Sequence, residues 1–305
     1  MLHELPLERR TLHGHFSRDL EPVLTVDPGD SIRFSTLDAA WHLGPGSDAR
    51  FEPRDPELDA GHALVGPVEV RGAQAGGTLA VRIDEVRVGT FGFTVAGGWP
   101  SFLNDRLGVA DGEGHVLHWE LDADAGTGHD EHGRTVDLRP FLGVIGMPPA
   151  EPGVHSTSPP RRSGGNIDCT ELVAGTTLYL PIPVDGALLS AGDGHARQGD
   201  GEVSQLAIEC PLGRAQLTVS LVDGLELENP VARTANAWLT FGLDEDVDEA
   251  AAQALDGMLA LMGRELGLER RDALALASVV VDLRITQMVN GVRGVHAVLR
   301  DGAIR

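Results

Sequence analysis

The sequence predicts a mainly β protein, a β-sandwich or barrel-like arrangement of many short strands, with a C-terminal α+β portion. Short β-type runs separated by glycine- and proline-rich turns fill the chain as far as about residue 230. After that point the apolar residues recur with helical spacing. The chain has 305 residues, of which 42% are hydrophobic, and this length predicts two or three subdomains.

Seven runs before residue 230 have the composition of strands. They cover residues 23–26, 31–35, 79–88, 115–121, 177–182, 205–209 and 216–222. In the third run Leu79, Val81 and Ile83 occupy every second position, which suits a half-buried strand. Turn sequences such as Asp27-Pro28-Gly29-Asp30 separate the runs. Many short strands with frequent turns are typical of sandwiches and barrels.

The C-terminal portion begins after Asn229. Residues 246–266 read as a helix with one apolar face, formed by Leu255, Met258, Leu259, Met262 and Leu266. Residues 269–281 read as a second helix, or as a helix that runs into a strand, and 283–289 as extended chain. We therefore expect a β-sandwich-like domain at 1–137, a second β region with the polar motifs at 138–228, and an α+β subdomain at 229–305.

The composition limits the classes of partner and the cellular compartment that we expect for the protein. The net charge is -22, and phosphate binding needs a basic surface, so nucleic acid is excluded as a partner. No apolar run is long enough to span a bilayer, and the N-terminus lacks the features of a secretory signal. Two cysteines do not make a disulfide framework. We expect a cytoplasmic protein without a membrane partner.

The chain contains no lysine, since all 24 of its lysine-or-arginine residues are arginine. Mechanisms that need a catalytic lysine are therefore excluded, which removes Ser–Lys amidases, Cys–Glu–Lys nitrilase-type hydrolases, Schiff-base enzymes and P-loop NTPases. A Gly-x-Ser-x-Gly nucleophile elbow and a dinucleotide-binding glycine motif are also absent from the sequence.

Two segments between residues 164 and 202 concentrate the polar residues that could perform chemistry. They contribute Asn166, Asp168, Asp193, His195, Gln198, Asp200 and Glu202. Carboxylates and imidazole are ligands for divalent ions, and the interleaved glycines allow the backbone to bend so that side chains converge. A polar turn between strands is the alternative, because Asp200-Gly201 is also a hairpin signal. The length of the second segment, 192–202, favours a functional site.

Several histidines elsewhere are weaker candidates. His15, His62 and His155 each lie beside turn residues and could close a metal shell. His129 and His132 lie in the segment 123–133, which reads as a solvated surface loop rather than a metal site. The segment 45–60 also reads as a surface loop.

The ordered motifs resemble those of the acetamidase/formamidase family of amide hydrolases. The matching pieces are 21–30, 36–38, 61–73, 97–98, 141–146, 164–169, 178–181, 186–188 and 192–202. The resemblance covers most of the chain, and the 164–169 and 192–202 pieces are its most specific. It departs from the family at residues 13–16, where relatives often carry a paired His and Trp, and in the loop 45–60.

The resemblance implies hydrolysis of a short primary amide of the formamide or acetamide kind, assisted by a divalent metal, with zinc expected first and calcium second. The expected metal ligands are Asp168, Asp193, His195, Asp38 and Asp200. The expected catalytic residues are Glu202 as the base, Asn166 and Gln198 as oxyanion donors, and His62. We expect a homo-oligomer. The alternative is a non-catalytic carbohydrate- or small-ligand-binding β protein with a structural calcium.

Overall fold

The computed structural model describes residues 1–45 and 49–305. Residues 46–48 of the expected surface loop lie outside these ranges. Strands account for 40% of the structure and helices for 13%, which confirms a mainly β chain with a C-terminal α+β portion. Among the described residues no helix is long and apolar enough to cross a membrane.

The described residues form 21 strands, three α-helices and a short 3₁₀ helix at Arg9–Thr11. In chain order the elements are β1 (Leu2–Glu4), β2 (Leu12–His13), β3 (Leu24–Val26), β4 (Ser31–Phe34), β5 (Leu64–Val70), β6 (Thr78–Val88), β7 (Phe91–Ala96), α1 (Phe102–Leu107), β8 (His115–Asp122), β9 (Thr127–Asp130), β10 (Thr135–Asp137), β11 (Phe141–Gly146), β12 (Pro160–Arg161), β13 (Gly164–Asn166), β14 (Thr177–Pro181), β15 (Leu189–His195), β16 (Glu209–Cys210), β17 (Leu212–Val222), β18 (Val231–Arg233), β19 (Ala237–Asp244), α2 (Val247–Leu266), α3 (Arg270–Val280), β20 (Val281–Gln287) and β21 (Arg293–Arg300).

Two sheets share one hydrophobic core, which gives the sandwich that the sequence predicts. Within the described chain the first sheet has the order β1-β4-β17-β6-β14-β18-β19-β21-β20. The second has the order β10-β9-β8-β7-β16-β15-β11-β13-β12, and β5 joins it beside β15 with β2 and β3. Buried residues of both sheets, such as Val81 of β6 and Ile145 of β11, belong to the same core. Their burial supplies the main driving force for the packing of the two sheets.

All three segments expected as domains contribute strands to the first sheet. Strands β1, β4 and β6 come from the first segment, β14 and β17 from the second, and β18 to β21 from the third. The boundaries at residues 137 and 228 stay predictions.

Helix α2 packs on β19 and β21 of the first sheet and covers a second core. Its cap residues are Asp246 and Gly267, so the helix lies within the range 246–266 that the sequence predicts. Gly242 of β19 permits this close approach, since a Cβ there would lie 1.8 Å from the carbonyl oxygen of Ala250. The predicted apolar face was wrong at its end, because Leu266 is 46% exposed beside the helix terminus.

Two local predictions were wrong. Residues 205–209 form a strand only at Glu209, because the chain turns at Gln205, whose backbone N–H donates to Glu202 with φ 71°. The expected loop 123–133 contains strand β9, which pairs with β8 and β10. Its hairpin partners on both sides satisfy the backbone groups that a loop would expose.

Candidate metal centre

The centre is built around the end of β15. Asp193 and His195 lie on this strand, and both side chains are buried. His195 pairs with Glu209 of the neighbouring β16. The Nε2 atom of His195 lies 3.4 Å from Oδ1 of Asp193 and 3.3 Å from Oε1 of Glu209. A buried imidazole thus lies between two buried carboxylates.

Two further acids reach the same point from loops. Asp168 follows β13, Glu202 follows β15, and both side chains are buried. One ligand atom each from Asp168, Asp193 and His195 lies within 4.8 Å of the other two, and the same holds for His195, Glu202 and Glu209. The two triads share His195 and form one cluster of four carboxylates and an imidazole, which we call the acidic cluster.

Gly143 of β11 leaves the space that the acidic cluster occupies. It lies between the register pairs Leu142–Gly194 and Val144–Gly192, opposite Asp193. A Cβ on Gly143 would lie 2.3 Å from Oδ2 of Asp193 and 2.8 Å from Oδ1 of Asp168. Any side chain at this position would therefore displace the carboxylates.

Three acids of the cluster have backbone conformations in the left-handed region. Their φ angles are 52° for Asp168, 59° for Asp193 and 48° for Glu202. Non-glycine residues adopt this region rarely and at a cost in free energy. Such strain concentrates at functional sites, where the surrounding structure holds the side chains in place.

Buried polar atoms without a hydrogen-bond partner are concentrated at the acidic cluster. Among the described residues, ten buried side-chain nitrogen or oxygen atoms lack a hydrogen-bond partner, and seven of them belong to or adjoin the cluster. These seven are Asn166 Oδ1, Asp168 Oδ1, Asp193 Oδ1, His195 Nδ1, Gln198 Oε1, Glu202 Oε2 and Glu209 Oε2. Buried polar atoms are almost always paired in native proteins. Carboxylate oxygens with an imidazole nitrogen are a donor set that fits a divalent cation.

The pKa shifts of the cluster residues also fit a site for a cation. Burial raises the pKa of Asp168 to about 8, and the charges of Asp193 and Glu209 reinforce this against the attraction of His195. Burial and the charge of Asp168 raise the pKa of Glu202 well above its usual range. The pKa of His195 is raised as well, because Glu209 and Asp193 outweigh the burial of its ring. The protein alone supplies too little positive charge for all four carboxylates to ionise.

The acidic cluster opens onto a cavity of about 370 Å³, a volume typical of small-molecule sites. Its lining includes Asp193, His195, Glu202, Glu209 and, from the N-terminal part of the chain, Trp41 and His62. The Nδ1 atom of His62 hydrogen-bonds to the hydroxyl of Thr157 at 2.7 Å, which fixes the ring beside the cavity. Of the residues expected to act in catalysis, Glu202, Asn166 and His62 line this cavity.

Two of the expected metal ligands have other partners. Asp200 accepts hydrogen bonds from the hydroxyl of Thr170 at 2.9 Å and from Nε of Arg284 at 2.6 Å, outside the acidic cluster. Asp38 accepts from the backbone N–H of His42 at 3.0 Å and hydrogen-bonds to its ring Nδ1 at 3.1 Å. Their carboxylates are already paired, which does not favour either residue as a metal ligand.

Each of the remaining candidate residues has a hydrogen-bond partner or an exposed position. Gln198 donates from Nε2 to the backbone carbonyl of Asp168 at 2.8 Å, so it holds a loop rather than facing the cavity. Asn166 donates one amide hydrogen to the carbonyl of Ser158 at 2.9 Å. His15 hydrogen-bonds to the carbonyl of Leu58, away from the cluster. The described histidines of the segment 123–133 are exposed, as expected of surface positions.

Sequence reasoning missed Glu209 and Asn290. Glu209 was read only as the end of a β-type run, and no local pattern marks it, because it joins the cluster through the pairing of β16 with β15. Asn290 lies in a loop of the C-terminal portion and donates from Nδ2 to Oδ2 of Asp168 at 3.1 Å. No local pattern marks it.

A β-sandwich with a buried carboxylate–histidine cluster at the base of a small-molecule cavity defines a candidate enzyme site whose residues could hold a metal ion. The sequence profile of the Acetamidase/Formamidase family matches residues 3–156 and 150–299. The chain therefore belongs to the acetamidase/formamidase family of amidase hydrolases, as the motif resemblance implied.

Relatives with known names and structures agree with this membership. The acetamidase of Mycolicibacterium smegmatis is 25% identical over 81% of this chain and 78% of its own length. The formamidase of Methylophilus methylotrophus is 26% identical over 72% of this chain and 67% of its own length. An acetamidase structure from Bacillus halodurans superposes with a TM-score of 0.84 at 26% identity, covering 98% of this chain and 97% of that one. The match to the curated relatives spans between 60% and 78% of their length.

Proposed function

We propose that this chain hydrolyses short linear primary amides to a carboxylate and ammonia with the help of a divalent metal ion. The observation that carries the proposal is the convergence of unpartnered, buried carboxylate oxygens on His195 at the base of the cavity. The names of the relatives, formamidase and acetamidase, support an amide of this size.

Asp168, Asp193 and His195 would hold the ion, with Glu209 beside His195. When bound, a divalent ion acts as a Lewis acid on the amide carbonyl and lowers the pKa of water. The imidazole favours zinc over calcium, because calcium prefers oxygen ligands alone. The same imidazole argues against the alternative of a structural calcium in a non-catalytic binding protein.

Glu202 is the proposed proton carrier. It lines the cavity, and its Oε2 atom has no partner among the described residues. Burial and the charge of Asp168 raise its pKa, so its carboxyl group holds a proton more readily than an ordinary glutamate does. Glu202 would take a proton from water as the oxygen of that water bonds to the amide carbon. It would then give the proton to the nitrogen as the C–N bond breaks, so that ammonia leaves.

His62 and Asn166 would orient the substrate. Nδ1 of His62 is used by Thr157, which leaves Nε2 for an amide in the cavity. Asn166 has given one amide hydrogen to Ser158 and keeps the other for the developing negative charge on the substrate oxygen. Gln198 does not line the cavity, so we withdraw its oxyanion role.

The test measures ammonia release from formamide, acetamide and propionamide, together with metal content by elemental analysis. Glu202→Gln should keep the metal and lose about 10²–10⁴-fold in kcat, the usual contribution of a general base. The double variant Asp168→Ala/His195→Ala should lose both the metal and turnover. Asp200→Asn is the matched control, because its carboxylate lies outside the acidic cluster. Full turnover by the metal-free double variant would contradict the metal role.

Homo-oligomerisation and a cytoplasmic location are also part of the proposal. Sedimentation of the purified chain at several concentrations tests the first, and cell fractionation tests the second. A concentration-independent monomer would contradict the oligomer.

A further inference from the structure

The cavity that ends at the acidic cluster also carries two arginines. Arg50 and Arg54 line it, and both follow Trp41 in the chain. The cluster acids are buried, whereas Arg50 is exposed and Arg54 is half-buried. The cavity is therefore acidic at its buried end and basic at its exposed end.

Arg50 is anchored through its backbone, and Arg54 through its side chain. The backbone of Arg50 pairs with that of His42 in an antiparallel bridge. The guanidinium carbon of Arg54 lies 6.0 Å from the ring centre of Trp41, within the range of a cation–π contact. Trp41 is 1% exposed and donates from its indole nitrogen to the carbonyl of Gly61 at 2.9 Å. A fixed, buried ring thus supports one of the two charges.

Neither guanidinium has an acidic partner among the described residues. The nearby Glu52 accepts from the backbone N–H of Arg54 at 2.8 Å, not from its side chain. Elsewhere arginines pair readily, as Arg233 does with Asp301. Other described arginines, such as Arg106 and Arg300, have no acidic partner either, so it is the position of Arg50 and Arg54 in the lining of one cavity that needs an explanation. The simple explanation is that both charges are solvated at the surface. The other explanation is that they bind an anionic ligand.

We infer that the preferred substrates are monoamides of short dicarboxylic acids, with the amide at the acidic cluster and the free carboxylate at Arg50 and Arg54. This inference rests on the proposed amide hydrolysis. Arg50 and Arg54 are the arginines of the cavity lining, so the free carboxylate of such a substrate faces the mouth and its uncharged amide faces the acidic cluster. Arginine binds carboxylate through two parallel hydrogen bonds. Formamide and acetamide are far smaller than a cavity of about 370 Å³.

The test compares succinamate with isocaproamide, in which an isopropyl group replaces the carboxylate. The wild-type kcat/KM should favour succinamate by about tenfold or more, the effect of one charge-assisted hydrogen bond. Arg54→Gln and the double variant Arg50→Gln/Arg54→Gln should reduce this preference by about 10- to 100-fold. Arg54→Lys should keep part of it, because it retains the charge without the planar fork. The control Arg271→Gln removes an exposed arginine of α3 and should change neither rate.

Calorimetric titration with succinate separates this inference from the proposed function. Loss of succinate binding in the double arginine variant supports the carboxylate site even if no amide is hydrolysed. Equal hydrolysis of the two amides by wild-type protein overturns the inference while amide hydrolysis stands. Phosphate that binds as tightly as succinate would overturn it too, because the site would then be a general anion site.

Discussion

Asn290 donates a hydrogen bond to the carboxylate of Asp168, 122 positions earlier in the chain, at 3.1 Å. The donor lies in the loop between β20 and β21, which close the edge of the first sheet. The acceptor belongs to the acidic cluster beside the second sheet. The C-terminal α+β portion therefore takes part in the centre, although its sequence contains few groups typical of chemistry.

Replacing Asn290 by alanine should weaken metal binding by about 10- to 100-fold, the usual effect of removing a hydrogen bond that orients a metal ligand. Competition with a fluorescent chelator measures the affinity. Asn236→Ala, at an exposed position, is the control. Unchanged affinity in Asn290→Ala would mean that Asp168 is oriented without it.

Gly143→Ala should reduce kcat by about a hundredfold, because the new Cβ would displace Asp193 and Asp168, and a shift of about an ångström has this effect. Gly213→Ala is the matched control in a strand, since its Cβ would make only ordinary contacts, with the carbonyl oxygens of Val88 at 3.5 Å and Arg87 at 3.9 Å. Kinetics and metal content are measured on both variants. Normal metal content and rate in Gly143→Ala would show that the cluster can move without loss.

Removal of the metal should lower the unfolding temperature by about 5–10 °C relative to protein with free metal at a hundred times its dissociation constant. The physical reason is that buried carboxylates repel one another without a cation. Differential scanning calorimetry with chelator, and then with added zinc, measures the shift. The same chelator should leave the Asp168→Ala/His195→Ala variant unaffected, and an equal shift in that variant would place the metal elsewhere.

His13 should make the protein less stable in acid. Burial lowers the pKa of its ring to about 4, while Nδ1 hydrogen-bonds to the carbonyl of His15 and Nε2 to the hydroxyl of Ser190. The folded pKa lies below the unfolded value, so the unfolded chain binds more protons. The stability held by the neutral ring is complete above pH 6.5 and is lost as pH falls towards 4.

Between pH 7.5 and pH 5 the wild type should therefore lose about 2 kcal/mol more unfolding free energy than His13→Gln. Urea unfolding at the two pH values measures the difference. His129→Gln, at an exposed position of β9, should follow the wild type. Parallel losses in wild type and His13→Gln would assign the acid sensitivity to other groups.

The sequence predicted the parts of the centre that are local. Asp193 and His195 are two residues apart, and Asp168 and Glu202 lie in the same glycine-rich segments, so their residue types and spacing sufficed. Asp200 does not reach the acidic cluster, because β15 ends at His195 and the chain then turns towards β20. Spacing alone does not tell where a strand ends, and beyond that end the side chain of Asp200 meets Arg284 instead.

Residues that are distant in the sequence were harder to place for a different reason. Asp38 carries the right chemical group, but its own turn uses both carboxylate oxygens. Glu209 enters the centre only because β16 pairs with β15, and Asn290 only because β20 and β21 complete the first sheet. Sheet pairing of this kind depends on tertiary contacts, which a single sequence does not contain.

The loop that carries Asn290 has a consequence for how the protein becomes active during synthesis. A ribosome delivers the chain from its N-terminus, so Asp168, Asp193 and Glu202 emerge long before Asn290, the donor to Asp168. The nascent chain therefore carries an incomplete centre until its last strands are made. Under the proposed function, tight metal binding would come only at the end of translation, and a product truncated before Asn290 would not hydrolyse amides.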